Sequence, residues 1–214
     1  MNLIYQCLRP ECRFRFPTLE RGDEWVKCPR CGGPTRLVVL PYDGIGAEDH
    51  RVNSAPHIEV LVDNIRSAFN VGSIFRTADG AGVNHIHLCG ITPTPDHPKV
   101  AKTALGTECL VAWTQHWDGV EAAKELKEKG YTLVALECAG DSHSLFDHFF
   151  LAGVTSAVLV LGNEVTGVDP GILELCNQKI HIPMQGSKRS LNVAIAFGIA
   201  VYHMRFTISN YQQN

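Results

Sequence analysis

The sequence predicts an α/β protein in which helices cover both faces of a mainly parallel sheet, preceded by a small cysteine-rich module. From residue 57 onward, short β-branched and apolar runs alternate with segments of helical spacing, and several runs are apolar throughout, as in strands buried on both faces. Four of the eight cysteines lie within the first 31 residues. We therefore expect a module over 1–41, a linker rich in turn formers and acidic residues over 42–56, and the α/β domain over 57–214.

Each predicted element rests on a local signal. Apolar β-branched runs predict strands, and apolar residues three or four apart predict helices. Asp118 lies three residues before Glu121, a helix-capping pattern, and Gly130 ends the helix that follows. In chain order, the expected strands are 58–62, 84–89, 131–136, 157–161 and 179–182, and the expected helices are 70–81, 100–105, 118–129 and 191–205.

Composition excludes several classes of protein. The chain has 214 residues, of which 45% are hydrophobic and 19% charged, so it can bury a core and is not expected to be disordered. No apolar run approaches the roughly 18 residues of a membrane helix, and the start lacks a secretory signal. We expect a soluble cytoplasmic protein without membrane association. Residues 1–41 carry a formal charge of +3, although the net charge of the whole chain is -3. Any binding of nucleic acid through positive charge is therefore expected to be local to that module.

The amino-terminal cysteines have the spacing of a zinc ribbon. The pattern is C-x4-C, fifteen residues, then C-x2-C, at Cys7, Cys12, Cys28 and Cys31. Two close thiolate pairs suit tetrahedral Zn²⁺, and a module of about forty residues needs such a staple. The competing reading, a redox dithiol, lacks the βαβ context expected of one. Basic and aromatic residues interleave here, which suits either RNA contact or packing of the module: Arg9, Arg13, Arg15, Lys27 and Arg30 with Phe14, Phe16 and Trp25.

Three segments place polar residues and glycines where ligand sites gather in α/β proteins, beyond the carboxyl ends of strands. They are NIRSAFNVGSIFRTA at 64–78, LGNEVTG at 161–167 and IPMQGSKRSLNV at 182–193. In this order and spacing they resemble the three motifs of the SpoU/TrmH family of RNA ribose 2′-O-methyltransferases, in the SPOUT superfamily. The resemblance covers about 57–206, and KTALGTE at 102–108 is similar to the family's connector. The zinc-ribbon module lies outside it.

The resemblance implies transfer of a methyl group from S-adenosylmethionine to a ribose 2′-OH of tRNA or rRNA. It also implies a carboxyl-terminal trefoil knot and a homodimer with active sites at the subunit interface. The cofactor pocket would be lined by Leu136, Gly162, Ile182, Met184, Ser190 and Leu191. The catalytic group would be Asn70, Arg76, Glu164, Ser190 and Asn192.

The chemistry suggests roles for these residue types. A guanidinium with a pKa above about 12 is a poor base, so we expect Arg76 to bind the target phosphate and ease formation of the alkoxide. We expect Glu164 to orient Arg76 through a bidentate pair. A simpler reading of Ser190, compatible with a catalytic role, is that it caps the closing helix, with Asn192 early in its first turn.

Simpler readings stay open for single residues. Arg76 fits a surface helix, Glu164 a solvated loop and Gly162 a strand end, whereas His85 and His87 fit packing or surface positions on one strand face. Two other functions also stay open. One is a catalytically silent knotted protein that binds RNA or serves assembly, and the other is a knotted methyltransferase that modifies a base. The sequence does not identify the RNA or the nucleotide.

Overall fold

The structure is a computed structural model that describes residues 3–18, 26–39, 56–147 and 153–211, with side chains as far as 38 and 207 in the second and last of these ranges. The chain divides into two compact units, Met1–Val52 and Asn53–Asn214. Most of the predicted linker and Trp25 lie outside the described residues. Within the described part, no helix combines the length and apolarity that crossing a membrane requires.

The first unit contains a three-stranded antiparallel sheet that the sequence analysis did not predict. Its strands are β1 (Leu3–Cys7), β2 (Arg15–Thr18) and β3 (Thr35–Val39), in the order β2-β1-β3. Cys12 lies in the turn after β1, and Cys28 and Cys31 lie in the turn before β3. Gly32 adopts a φ of +66°, which a residue with a side chain rarely tolerates.

The second unit has seven parallel strands in the order β6-β5-β4-β9-β7-β10-β8. The strands are β4 (His57–Asp63), β5 (His85–Cys89), β6 (Ala112–His116), β7 (Thr132–Leu136), β8 (His143–Ser144), β9 (Ser156–Leu161) and β10 (Gln178–His181). The helices are α1 (Ala68–Ala81), α2 (Pro98–Ala104), α3 (Gly119–Glu128), α4 (Pro170–Leu175) and α5 (Val193–Tyr211), with a short 3₁₀ turn at Thr107–Cys109.

Two apolar cores lie on opposite faces of this sheet. On one face, Val60 of β4 packs with Phe75 of α1 and Phe197 of α5, all fully buried. On the other face, Leu61 of β4 packs in a cluster that includes Leu126 of α3 and other residues near α4. Successive β4 residues therefore serve opposite cores, which explains why the residues from Val60 to Val62 are all apolar. The predicted α/β class, a parallel sheet with helices on both faces, is confirmed.

The elements missed by the sequence analysis are those with weak apolar signals. β6 forms an edge of the sheet and is mostly exposed, β8 has two residues, and α4 has six. The start of the closing helix was also placed wrongly. α5 begins at Val193, and Asn192 accepts hydrogen bonds from the N–H groups of Ala194 (2.9 Å) and Ile195 (3.4 Å), so Asn192 and not Ser190 caps the helix.

A buried polar cluster lies on the α3 face of the sheet, away from the three motif segments. The Glu59 carboxylate lies 2.8 Å from His87 Nε2 and 2.9 Å from His57 Nε2, and it accepts a 2.7 Å hydrogen bond from the Tyr131 hydroxyl. Burial opposes ionisation, but these hydrogen bonds outweigh it and lower the pKa of Glu59 to about 2. His85 and His87 do share one face, with ring centroids 4.6 Å apart, and His87 is buried within this cluster.

Candidate active site

The loop after β9 joins the loop after β4 through side-chain hydrogen bonds. Asn163 Nδ2 donates to the carbonyl oxygen of Asn64 at 2.6 Å. The Glu164 carboxylate accepts from the backbone N–H groups of Arg66 (3.0 Å) and Ser67 (3.2 Å). These contacts join residues almost one hundred positions apart, because the carboxyl ends of the adjacent parallel strands β4 and β9 meet at one edge of the sheet.

A chain of three side chains connects the first, second and third motif segments. Asn70 Nδ2 donates to Glu164 Oε1 at 2.9 Å, and Asn192 Nδ2 donates to Asn70 Oδ1 at 3.0 Å. Ionised Glu164 only accepts hydrogen bonds, so the amide group of Asn70 must face it and the oxygen of Asn70 must face Asn192. The carboxylate thus fixes the orientation of both amides. One N–H of each amide makes no hydrogen bond to the described residues.

Glu164 is held in its ionised form. Partial desolvation raises its pKa, but the N–H donors of Arg66, Asn70 and Ser67 outweigh that effect and keep the pKa below its ordinary value. The group therefore acts at neutral pH as a fixed negative charge and hydrogen-bond acceptor. It is not suited to donate a proton there.

Gly162 occurs where the β9 backbone packs against its own loop. A Cβ atom placed on Gly162 would lie 2.2 Å from the nitrogen of Val168 and 2.3 Å from the carbonyl carbon of Gly167. The loop is closed by a two-way backbone bridge between Asn163 and Gly167, and Glu137 accepts from the Val168 N–H at 3.0 Å. Only glycine fits this position without moving backbone, so Gly162 does more than end a strand.

Two predicted site residues lie outside the hydrogen-bonded chain. Arg76 is exposed on α1, and among the described residues it forms no ion pair with Glu164. Within one chain Glu164 therefore does not pair with Arg76, because the carboxylate is occupied by backbone N–H groups and Asn70. Ser190 is exposed just before Asn192 and has no hydrogen bond within the described part of the chain.

The residues predicted to hold S-adenosylmethionine gather at the same edge. Leu136 ends β7 and is the register partner of both Leu161 on β9 and Ile180 on β10, so Gly162 and Ile182 follow two strands that flank it. Leu136 and Ile182 are half-buried and pack against the core. Apolar side chains of this kind suit the adenine ring.

Two further predicted cofactor residues lie in the segment between β10 and α5. Met184 is half-buried, and Leu191 is 38% exposed in the segment that leads into α5. Loops that offer backbone groups beside such apolar side chains suit the polar edges of an adenosine. The residues present therefore fit the cofactor.

Several positioning residues were missed by the sequence analysis. Asp63 is buried at the end of β4, and its carboxylate accepts from Asn64 Nδ2 (2.7 Å) and the Asp169 N–H (3.1 Å). Asn163 accepts from two N–H groups of its own loop, and Glu137 holds Val168 as described above. Each of these side chains ends a strand or lies within two residues of a strand end. The rule that flagged the motif segments would have flagged Glu137 as well.

The amino-terminal cysteines converge as predicted. The four Sγ atoms all lie within 4.8 Å of one another, with 3.5 Å between Cys7 and Cys31 and 3.8 Å between Cys12 and Cys28. A tetrahedral zinc with Zn–S bonds of about 2.3 Å places its sulfurs about 3.8 Å apart, so the cluster fits this ion. The Gly33 N–H lowers the pKa of Cys31 to about 7, whereas burial raises the pKa of Cys7 to about 12.

Known proteins match the second unit, and one relative also matches most of the first unit. The SpoU rRNA Methylase family profile matches residues 57–202. A tRNA (guanosine(18)-2′-O)-methyltransferase of Aquifex aeolicus is 31% identical over 150 residues, covering 67% of this chain and 66% of that enzyme. A 23S rRNA (guanosine-2′-O-)-methyltransferase of Neisseria meningitidis is 28% identical over 205 residues, covering 95% of this chain and 80% of that enzyme.

A solved structure gives the same result at the level of the fold. The AdoMet-bound rRNA methyltransferase of Sinorhizobium meliloti superposes with a TM-score of 0.66 at 26% identity, covering 72% of this chain and 58% of the other. The chain thus spans under two thirds of the length of that enzyme and of the A. aeolicus enzyme. The family profile covers all three motif segments and the side chains that connect them, and the predicted α/β fold class matches that of the solved relative. The chain belongs to the SpoU rRNA methylase family.

Proposed function

We propose that this protein transfers a methyl group from S-adenosylmethionine to a ribose 2′-OH of tRNA or rRNA. The observation that carries the proposal is the Glu164–Asn70–Asn192 chain, which joins the three motif segments at the edge where the cofactor residues gather. The A. aeolicus relative is named for a guanosine of tRNA and the N. meningitidis relative for a guanosine of 23S rRNA. Both names support ribose of RNA as the substrate, and neither selects one RNA class for this chain.

The reaction requires in-line placement of the 2′-oxygen and loss of its proton as the methyl group arrives. The cofactor supplies the electrophilic methyl group on a sulfonium. We assign the second N–H of Asn70 and of Asn192 to oxygen atoms of the target nucleotide, because Glu164 fixes the orientation of both amides before substrate binds. Ser190, exposed beside Asn192, is assigned to the same nucleotide or to the cofactor.

Arg76 is assigned to the target phosphate, and a homodimer is proposed to bring it to the site. Arg76 lies on α1 beside Thr77 and near Gly80, and these two residues approach α5 at Gly198 and Tyr202. The outer side of α5 carries a stripe of exposed apolar side chains at helical spacing: Ile195, Ile199, Tyr202 and Phe206. An apolar helix face of this kind marks an interaction surface. A second copy seated on it would place Arg76 at the subunit interface.

The first unit is proposed to hold one structural zinc ion through Cys7, Cys12, Cys28 and Cys31. Cys7 ends β1, whereas Cys28 and Cys31 belong to the turn before β3, so one ion would connect two strands of the small sheet. The domain bounds 1–41, 42–56 and 57–214 are retained as part of this proposal. A cytoplasmic location, where RNA substrates and reduced thiols occur, stays a prediction.

The proposal is tested by methyl transfer. Zinc-loaded full-length protein is incubated with labelled S-adenosylmethionine and separated total tRNA or total rRNA from cells that lack the gene. We expect label in one pool, and that pool names the RNA class. Binding of the cofactor without transfer to either pool would contradict activity on these RNAs. Failure to bind the cofactor as well would favour the silent RNA-binding alternative.

A further inference from the structure

One face of the small β2-β1-β3 sheet presents a row of aromatic rings. Tyr5 on β1 lies opposite Phe16 on β2 and opposite Leu37 on β3, so these three side chains share a face. The Tyr5 and Phe16 rings are stacked, with centroids 6.3 Å apart and planes 26° apart. Phe14 extends the stack, with its centroid 5.9 Å from that of Phe16 and its plane 17° away. We name Tyr5, Phe14 and Phe16 the aromatic row.

The aromatic row is not the packed core of its unit. Phe14 is 39% exposed and Leu37 46% exposed, while Tyr5 and Phe16 are half-buried. The buried residues of the described part of this unit are instead Leu3, two of the cysteines, Gly33 and Thr35. Packing of the module therefore does not account for the outer end of the row, where Phe14 leaves apolar surface in contact with water.

The described part of the first unit carries a strong excess of positive charge. The described residues of this unit include only one carboxylate, Glu11. They include six exposed cationic side chains: Arg9, Arg13, Arg15, Lys27, Arg30 and Arg36. Arg15 and Arg36 are register partners of Gln6, so they lie on the opposite face of the sheet from the row, whereas Arg9 and Arg13 belong to the connection between β1 and β2 that also carries Phe14. A surface that combines exposed rings with arginines of an adjacent connection matches a ligand that has flat apolar faces and a negative backbone.

We propose that the aromatic row binds unpaired nucleotides of the RNA substrate, with bases stacked on Phe14 and Phe16 and phosphates bound by arginines of the β1–β2 connection, Arg9 and Arg13. This inference rests on the proposed function insofar as RNA is the substrate. Unpaired RNA is favoured over a duplex because paired bases hide the faces that stack on aromatic rings. It is favoured over a protein partner by the excess of cations, which matches a regular line of phosphates. The row thus directs the RNA, and the motif segments carry out the chemistry.

Direct binding tests this inference on the zinc-loaded full chain. The probe is a short fluorescent oligouridylate, compared with an RNA duplex of the same length and with heparin as a polyanion without bases. The variants are Phe14→Leu, which keeps the apolar volume, and Phe14→Trp, which keeps an aromatic face. Leu8→Ala is the matched control, because Leu8 is 48% exposed in the same unit but has no ring contact. Equal zinc content in all four proteins shows that the cysteine cluster is intact.

We expect Phe14→Leu to bind oligouridylate about five-fold or more weakly, the loss of one stacked base. Phe14→Trp and Leu8→Ala should bind like the parent, and the parent should prefer the single strand to the duplex. Equal affinity of Phe14→Leu and parent would overturn the inference. So would equal losses in Phe14→Leu and Leu8→Ala, or heparin binding that falls in parallel with RNA binding.

The same proteins separate this inference from the proposed function. If Phe14→Leu transfers methyl groups to its RNA pool with an unchanged KM, the row does not bind substrate although the enzyme assignment stands. If the parent binds oligouridylate through Phe14 but transfers no methyl group, the binding surface stands and the proposed function fails. A raised KM with unchanged kcat and unchanged affinity for S-adenosylmethionine supports both.

Discussion

Replacing Gly162 by alanine tests whether the loop after β9 is as tightly determined as its geometry indicates. The added Cβ would lie 2.2 Å from the Val168 nitrogen, whereas real Cβ atoms stay at least 3.0 Å from such neighbours. The backbone must therefore retreat by about 0.8 Å, the difference between these distances. Retreat is resisted by the bridge between Asn163 and Gly167 and by the Glu137 hydrogen bond to Val168.

The expected cost follows from this forced movement. Overpacking against rigid neighbours lowers the free energy of unfolding by about 1–3 kcal/mol, which for a unit of this size lowers Tm by roughly 2–12 °C. Misplacement of a site by about 1 Å costs on the order of 10²-fold in turnover. We therefore expect Gly162→Ala to bind S-adenosylmethionine at least about ten-fold more weakly and to lose most methyl transfer.

Thermal unfolding and calorimetric titration with S-adenosylmethionine measure both effects. Gly140→Ala is the matched control, because a Cβ at Gly140 meets no atom within 4 Å and its φ is not positive. That substitution should leave binding unchanged and raise stability by at most about 1 kcal/mol, through the unfolded state. If Gly162→Ala unfolds and binds like Gly140→Ala, the close packing inferred for this loop is refuted.

Three other changes have expected outcomes. Between pH 4.5 and 2, the parent should lose about 3 kcal/mol of stability that Glu59→Gln does not lose. The pKa of Glu59 is lower in the folded state than in the unfolded state, so the ionised carboxylate stabilises the fold at higher pH and this stabilisation is lost as the carboxylate is protonated. Parallel acid-unfolding curves for the two proteins would contradict this. Arg76→Lys should retain the affinity for S-adenosylmethionine and lose at least about ten-fold in kcat in the methyl-transfer assay, and near-normal turnover would exclude any role that needs the planar guanidinium. Removal of metal with a chelator should release one zinc per chain, measured with a colorimetric indicator, and weaken RNA binding. Affinity for S-adenosylmethionine should not change, because the cysteines belong to Met1–Val52 and the cofactor residues to Asn53–Asn214. Loss of that affinity along with the metal would contradict a role of zinc confined to the first unit.

The parts of the fold that could be predicted are those in which one local signal decides the outcome. β4 and β9 contain runs of apolar residues that are buried on both faces of the sheet, so their burial can be predicted from the consecutive apolar residues. β6 is an edge strand with exposed side chains, and no apolar run distinguishes it from a loop. Glu59 escaped notice because a single acid within an apolar strand gives no sign of the partners that neighbouring strands bring to it.

In the candidate site, too, residues marked by a local sequence motif could be predicted, whereas contacts between distant segments could not. The motif segments identified Asn70, Glu164 and Asn192, and the structure joins them. The pairing of Glu164 with Arg76 was inferred from opposite charge, but Arg76 lies six residues after Asn70, about 9 Å along the helix. Ser190 and Asn192 are both good capping residues, so residue type could not select between them. Which backbone N–H groups a carboxylate meets depends on the crossing of strands distant in sequence.

The position of the transferred methyl group is the decisive test of ribose 2′-O-methylation by this protein. RNA methylated by the parent protein is digested to nucleosides, and these are identified by mass spectrometry, with protein lacking the Asn192 amide (Asn192→Ala) run in parallel. The proposed function predicts a 2′-O-methylnucleoside that the variant forms far more slowly. A methyl group found on a base, with unmodified ribose, would contradict it.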